Sequence, residues 1–271
     1  MLWQPAELQT NGIRIHYYRL GEGPPLLLLH GIGANARTWG RAAGALAARH
    51  LVIAPDARGH GQSEKPERGY RDADYIADVA GLIMELQLAP VDAIGHSVGG
   101  RIVAELAADR PELFHRIVLE EAVGGAPAAR PAAEEAQMRA GARVWLERLR
   151  ATPREAVLAQ TRQRQPGWTD AECEAFVDSQ REFSMAIYGD QSLGYFWDWR
   201  PAVARIRHPM LVLLGDRSAP RFPPSSADET TRDEIAGLLP AARVVQIKGA
   251  GHLLHLDQPH EFVEAVEPFL S

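Results

Sequence analysis

The chain has 271 residues, of which 46% are hydrophobic and 24% charged, and its 29 basic and 35 acidic side chains leave a formal charge of −6. These values are ordinary for a globular protein, and one α/β domain often uses roughly 250 residues. The mild excess of acid provides no basic surface for nucleic acid or anionic lipid, so we expect neither as a partner.

The single cysteine, Cys173, excludes an intramolecular disulfide and a thiolate-rich zinc site. The first twelve residues lack the basic and apolar regions of a secretion signal, and no apolar run approaches the ~20 residues that a membrane helix needs. The histidines show no H-x-x-x-H spacing for a metal. We therefore expect a cytoplasmic protein that uses no metal and no other cofactor.

The pattern of elements begins with a predicted β-hairpin, because Asn11-Gly12 is the dipeptide that a type I′ turn favours. Six short apolar runs without strict alternation follow, as is typical of parallel strands buried on both faces. These runs are residues 26–29, 51–54, 91–94, 117–119, 210–214 and 244–247. Helical spacing occurs at residues 38–49, 73–88, 98–109, 227–239 and 259–270. The sequence therefore predicts the α/β class, with a doubly wound, mostly parallel sheet and an antiparallel N-terminal hairpin.

Residues 123–205 interrupt this alternation, because they contain helical patterns and no convincing strand. We predict a helical insertion there, in a core made of residues 1–122 and 206–271. Nine of the 19 aromatic side chains fall in these 83 residues, which favours a lid over an apolar pocket. Our candidate pocket residues are Trp145, Phe183, Tyr188, Tyr195 and Trp197. The alternative is that such aromatics form the core of the insertion itself.

A nucleophile is predicted where Gly95-His96-Ser97-Val98-Gly99 follows an apolar run and precedes a helix. In such a strand-to-helix turn a serine projects its hydroxyl above the sheet, and the flanking glycines avoid collisions with neighbouring backbone. The backbone N–H of Val98 would then point to a developing oxyanion. The pentapeptide alone is weak evidence, and its position between strand and helix makes it specific.

Two further motifs complete the predicted site. His30-Gly31-Ile32-Gly33 ends an earlier strand, where the Ile32 amide would be a second oxyanion donor and His30 would support the loop. Gly249-Ala250-Gly251-His252 follows the last apolar run and makes His252 the candidate general base. His255 could compete for that role, although the glycines before His252 favour the earlier histidine.

These motifs stand in the order found in serine hydrolases of the α/β-hydrolase fold, and the chain resembles that family over nearly its whole length. The resemblance implies that the helical insertion is a cap domain. It also implies that the stretch from Asp56 to Ser63 is a structural turn without a catalytic role.

The catalytic acid departs from the commoner family pattern. The family usually places this acid three residues beyond the glycine after the seventh strand, where this chain has Ser218 in Gly215-Asp216-Arg217-Ser218. Some similar enzymes take the acid from the end of the sixth strand, where Glu121 stands in this chain. We prefer Glu121 over Asp216, and the alternative is that Glu121 merely lies at the end of a strand.

The serine nucleophile separates the chain from the dehalogenases and epoxide hydrolases of the same fold, which use aspartate. Hydrolysis of a small or medium carboxylic ester or lactone, by way of an acyl-enzyme on Ser97, is the function that we expect. Two alternatives are a carbon–carbon bond hydrolase of the ring-cleavage type and a ligand-binding receptor on the same fold.

Overall fold

A computed structural model describes residues 3–124, 132–189, 197–221, 223, 225 and 227–271. These residues form one eight-stranded sheet with the strand order β1-β2-β4-β3-β5-β6-β7-β8. The strands are β1 Gln4–Thr10, β2 Ile13–Leu20, β3 Pro25–Leu29, β4 Leu51–Pro55, β5 Val91–His96, β6 Phe114–Glu120, β7 Met210–Leu214 and β8 Arg243–Gln246. Strand β2 is antiparallel to β1 and β4, and all other neighbours are parallel. The predicted fold class is confirmed.

The N-terminal hairpin closes through the predicted dipeptide. Asn11 and Gly12 have φ of 47° and 75°, and the residues beside them, Thr10 and Ile13, form the last pair between the strands. Positive φ at both central residues is the geometry of a type I′ turn.

Helices cover both faces of the sheet. The α-helices are α1 Gly40–Leu46, α2 Asp72–Glu85, α3 Val98–Asp109, α4 Ala132–Ala151, α5 Arg154–Arg164, α6 Asp170–Glu182, α7 Arg200–Val203, α8 Glu229–Leu238, α9 Leu254–Asp257 and α10 Pro259–Leu270. The central strand β3 shows how the core is divided, because Leu27 and Leu29 pack with α2 and α3 while Leu26 and Leu28 pack with α1 and α10. This alternation gives two apolar layers, one on each side of the sheet.

The predicted helix at residues 38–49 is divided in the structure. A 3₁₀ turn spans Ala36–Trp39, and α1 begins at Gly40, where φ is 46°. A Cβ at Gly40 would lie 2.6 Å from the Glu172 carboxylate, so glycine allows both the turn and the close approach of α6.

The segment predicted to be a helical insertion contains α4 to α7 and a 3₁₀ turn at Met185–Tyr188, and its described residues contain no strand. Its helix α6 is tied to the core, because the buried Glu172 carboxylate accepts hydrogen bonds from the backbone and side chain of Arg41. A small apolar cluster also joins Trp168 and Val177 to Leu253, which precedes α9, and to Leu256 within α9. These contacts place α6 over the carboxyl ends of the strands. The boundaries of a separate cap domain stay a prediction.

Candidate active site

Ser97 occupies a strained turn between β5 and α3. Its φ and ψ of 51° and −116° are rarely adopted by a residue with a side chain. A Cβ at Gly95 would lie 2.5 Å from the backbone of Gly100, and one at Gly99 would lie 2.2 Å from the carbonyl oxygen of Leu29. The turn is therefore open only to a sequence with small residues around the serine, as the predicted nucleophile turn requires.

The loop after β3 passes directly over Ser97. A Cβ at Gly31 would lie 3.2 Å from the Cβ of Ser97, so the loop that carries Ile32 passes close to the serine. The next residue is fixed on both sides, because the Gly33 N–H donates to His60 Nε2 at 3.0 Å and its carbonyl accepts from Gln180 Nε2 at 2.9 Å. Val98 begins α3, so its N–H has no acceptor within that helix. Val98 directly follows Ser97 and Ile32 directly follows Gly31, so both predicted oxyanion donors belong to segments that meet at the serine.

Two buried histidines support this loop. The His30 Nδ1–H donates to the carbonyl of Gly31 at 2.8 Å, and its Nε2 accepts from the N–H of Ala57 at 3.0 Å. Burial lowers the pKa of His30, and burial together with the nearby His30 lowers the pKa of His60 to about 3. Both rings are therefore neutral at neutral pH, and their nitrogens are occupied by loop backbone.

Glu121 lies against His252. A Glu121 carboxylate oxygen is 3.1 Å from His252 Nδ1, within the range expected for an acid that orients the base. The glutamate side chain is 2% exposed and that of His252 is 29% exposed, so the acid is buried and the base faces the site. Glu121 follows β6 with φ of 48°, a left-handed conformation that turns it away from the strand direction.

The second oxygen of Glu121 is also fixed. It accepts from the Gly215 N–H at 2.7 Å and from the Ser225 hydroxyl at 2.8 Å. Three donors, including His252, therefore fix the orientation of this carboxylate. Ser225 could not be expected as a donor, because no motif surrounds it in the sequence.

Asp216, the alternative acid, is only partly buried, and its oxygens bind groups other than His252. One of its oxygens accepts from the N–H and the hydroxyl of Ser218, and the other accepts from the N–H of Gly249. The hydroxyl of Ser218 lowers the pKa of Asp216. The structure therefore brings Glu121 to His252 and places Asp216 in a surface turn.

The candidate pocket aromatics fall into different places. Phe183 is buried, lies 3.4 Å from the Cβ position of Gly33 and stacks on His60 at 5.6 Å between ring centroids. Tyr188 is half-buried and meets Phe183 edge-on at 5.8 Å. These two side chains lie above the loop that carries Ile32.

Two of the other candidates, Trp145 and Trp197, contact different parts of the molecule. Trp145 is 46% exposed and lines a cavity of about 230 Å³ between α4, α5 and α6. The indole N–H of Trp197 donates to Glu105 on α3 at 2.7 Å, with Arg101 against its ring. Tyr195 lies outside the described residues.

No group of three or more His, Cys, Asp or Glu side chains in the described part of the chain is arranged to hold a metal ion. No helix within the described ranges is both long and apolar enough to cross a membrane.

Known proteins are similar to this chain over part or nearly all of its length. An uncharacterized protein of Mycobacterium tuberculosis is 41% identical over 123 residues, which cover 44% of this chain and 36% of the length of that relative. The chain thus spans little more than a third of that curated relative. The 2-(acetamidomethylene)succinate hydrolase of Mesorhizobium japonicum is 29% identical over 268 residues, which cover 96% of this chain and 92% of that enzyme.

The same fold is found in solved structures. The crystal structure of an E-2-(acetamidomethylene)succinate hydrolase superposes with a TM-score of 0.78 and 26% sequence identity, over 99% of both chains. The model of the alpha/beta hydrolase family matches residues 26–265, which contain Ser97, Glu121 and His252. The chain therefore belongs to the alpha/beta hydrolase family, whose fold and strand-to-helix serine turn it contains.

Proposed function

We propose that this hydrolase cleaves a carboxylic ester or lactone through an acyl-enzyme on Ser97. One observation carries the proposal: the buried Glu121 carboxylate contacts Nδ1 of His252, and Ser97 lies in a strained turn whose neighbour His96 packs against the ring of His252 at 4.8 Å. A nucleophile, a base and an orienting acid are the groups that acyl transfer needs.

The chemistry follows from the tautomer that Glu121 selects. With its Nδ1–H donated to Glu121, His252 has a free electron pair on Nε2 and accepts the hydroxyl proton as Ser97 attacks the carbonyl carbon. The N–H groups of Ile32 and Val98 donate to the resulting oxyanion. Collapse of this intermediate breaks the bond to the alcohol oxygen, which takes the proton from His252.

A water molecule completes the cycle. It gives a proton to His252 as its oxygen attacks the acyl carbon, and the bond to Ser97 breaks when the serine oxygen regains that proton. The products are a carboxylic acid and an alcohol, or one hydroxy acid from a lactone. No step requires a metal ion or a redox cofactor.

A second candidate substrate class comes from the full-length relative named above. Its name describes hydrolysis of a 2-(acetamidomethylene)succinate, and the match extends over 96% of this chain. An acetamido compound of this kind therefore belongs in the substrate panel beside the esters and lactones.

The test is a panel of p-nitrophenyl esters, lactones, 2-(acetamidomethylene)succinate and a ring-cleavage diketone, assayed with the wild-type chain and with Ser97→Ala. We expect turnover to be fastest with an ester or lactone and to be lost in the variant. Preference for the diketone would establish a carbon–carbon bond hydrolase instead. Tight binding with negligible turnover of every compound would establish a receptor.

A further inference from the structure

A second carboxylate–histidine pair lies directly beneath the first. The Glu120 and His255 side chains are 0% and 2% exposed, and His255 Nδ1 is 2.8 and 2.9 Å from the two carboxylate oxygens. Trp39 covers the imidazole at 4.3 Å between ring centroids. This pair has no access to substrate, and the proposed mechanism does not use it.

The pair is joined to the general base through the backbone. Glu120 also accepts the backbone N–H of His255 at 3.0 Å, which fixes the chain three residues after His252. His96 Nε2 lies 2.9 Å from the carbonyl oxygen of His252, so its N–H is donated to that carbonyl. The chain on the C-terminal side of the base is therefore tied to the ends of β5 and β6.

The N-terminal side of the base is tied to other parts of the molecule. The His252 N–H donates to the carbonyl of Pro223, and the Gly251 N–H donates to Asp257. Because Gly249 and Gly251 make this part of the loop intrinsically free to bend, its position depends on such tethers.

Two adjacent carboxylates thus hold two histidines that are three residues apart. Glu121 binds the ring of His252, and Glu120 binds both the ring and the backbone of His255. Burying a carboxylate and an imidazole is costly, and apolar residues of similar volume often give equal or greater stability at such a site.

We propose that Glu120 and His255 are positioning residues for the base: they set the place of the His252 backbone relative to Ser97, while Glu121 sets the orientation of the ring. This inference rests on the proposed function of Ser97 and His252. A displacement of about 1 Å at a reacting group can cost on the order of 10²-fold in rate, so loss of the pair should act on kcat.

The experiment compares His255→Leu with His255→Asn on the ester that the wild-type chain hydrolyses fastest. Leucine keeps the backbone N–H that binds Glu120 but removes the side-chain donor, whereas the asparagine amide keeps an N–H near the position of Nδ1. We expect His255→Leu to lower kcat by about 10²-fold with KM changed by less than about threefold. The kcat of His255→Asn should be at least about tenfold higher than that of His255→Leu.

A matched control exists in the same chain. His16 forms another buried histidine–carboxylate pair, with Nδ1 3.1 Å from Asp56, and it has no contact with the base. His16→Leu should lower the melting temperature and leave kcat per folded molecule within about threefold of the wild type. If His255→Leu behaves like this control, the pair is merely structural and the inference is wrong.

Glu120→Gln decides the matter if His255→Leu does not fold. The amide keeps the volume and one acceptor oxygen but loses the second contact to the ring, so we expect kcat to fall by about tenfold at constant KM. An unchanged kcat in a folded Glu120→Gln protein would overturn the inference. Failure of the proposed function would be recognised in a different variant, because ester hydrolysis would then persist in Ser97→Ala.

Discussion

The carboxyl edge of the sheet differs from the helical segment, meaning residues 132–189 and 197–205, in how strictly the backbone determines the place of a side chain. At the sheet edge, Ser97 and Glu121 both have positive φ, and the glycines beside the serine lie in gaps too small for a Cβ. In the helical segment, Phe183 covers the loop of Ile32 while Trp145 lies half-exposed at another cavity. The places of Ser97 and Glu121 depend on backbone geometry, whereas the place of each aromatic depends on the helix or loop that carries it.

The largest expected effect is at the sheet edge, in Ser97→Ala. Removing the hydroxyl leaves no nucleophile, so kcat should fall by about 10⁶-fold in ester hydrolysis while the melting temperature stays close to that of the wild type. Steady-state kinetics and thermal unfolding measure both quantities. Retention of most of the activity would show that another group attacks the substrate.

The next largest effect distinguishes the two candidate acids, Glu121 and Asp216. Glu121→Gln keeps size but offers an N–H to His252 Nδ1, which favours the wrong tautomer and removes the charge that stabilises the imidazolium, so we expect kcat to fall by about 10⁴-fold. Asp216→Asn is the matched control in a surface turn and should change kcat by less than about threefold. The reverse order would assign the acid to the loop after β7.

A third variant connects the two regions. Gln180 on α6 donates to the carbonyl of Gly33, next to the proposed oxyanion donor Ile32. Gln180→Leu removes the hydrogen bond to the Gly33 carbonyl, so the backbone next to Ile32 is held less firmly. We expect kcat to fall by about tenfold, because part of the oxyanion stabilisation is lost. Gln160→Leu, at an exposed position on α5, should leave kcat unchanged. If Gln180→Leu instead raised KM by about tenfold and left kcat unchanged, Gln180 would be assigned to substrate binding.

The smallest effects concern substrate choice. Phe183→Leu should change the ratio of kcat/KM between short and long acyl esters by about threefold to tenfold, since a few methylene contacts are altered. Trp197→Phe removes the bond to Glu105 and should lower stability by about 1 kcal/mol without changing that ratio. If the ratio of kcat/KM between short and long acyl esters changed only in Trp197→Phe, the substrate pocket would lie beside α3 instead.

The sequence predicted the features that depend on short motifs. The strand-to-helix turn at Ser97, the hairpin at Asn11-Gly12 and the parallel core strands follow from residue types that few other conformations accept. The contact between Glu121 and His252 was expected from the serine at position 218, where the usual acid is missing. The catalytic roles of these residues stay proposals.

The remaining contacts could not be read from local sequence. Gln180 and Ser225 lie 147 and 104 positions away from the residues that they hold, and each belongs to a common residue type without a surrounding motif. The sequence shows His255 as a second candidate base, but only the fold shows that Nδ1 of its ring contacts the Glu120 carboxylate. Long-range pairing of polar side chains is a property of the packed structure and leaves no periodicity in the chain.

The most direct measurement is the mass of the intact protein after rapid quenching during turnover of an ester, followed by peptide mapping. We predict one acyl group per chain, attached to Ser97, and its accumulation in a variant with slow deacylation. The adduct should be absent from Ser97→Ala. Steady hydrolysis of the same ester with no acyl adduct, or with the adduct on another residue, would contradict the proposed mechanism.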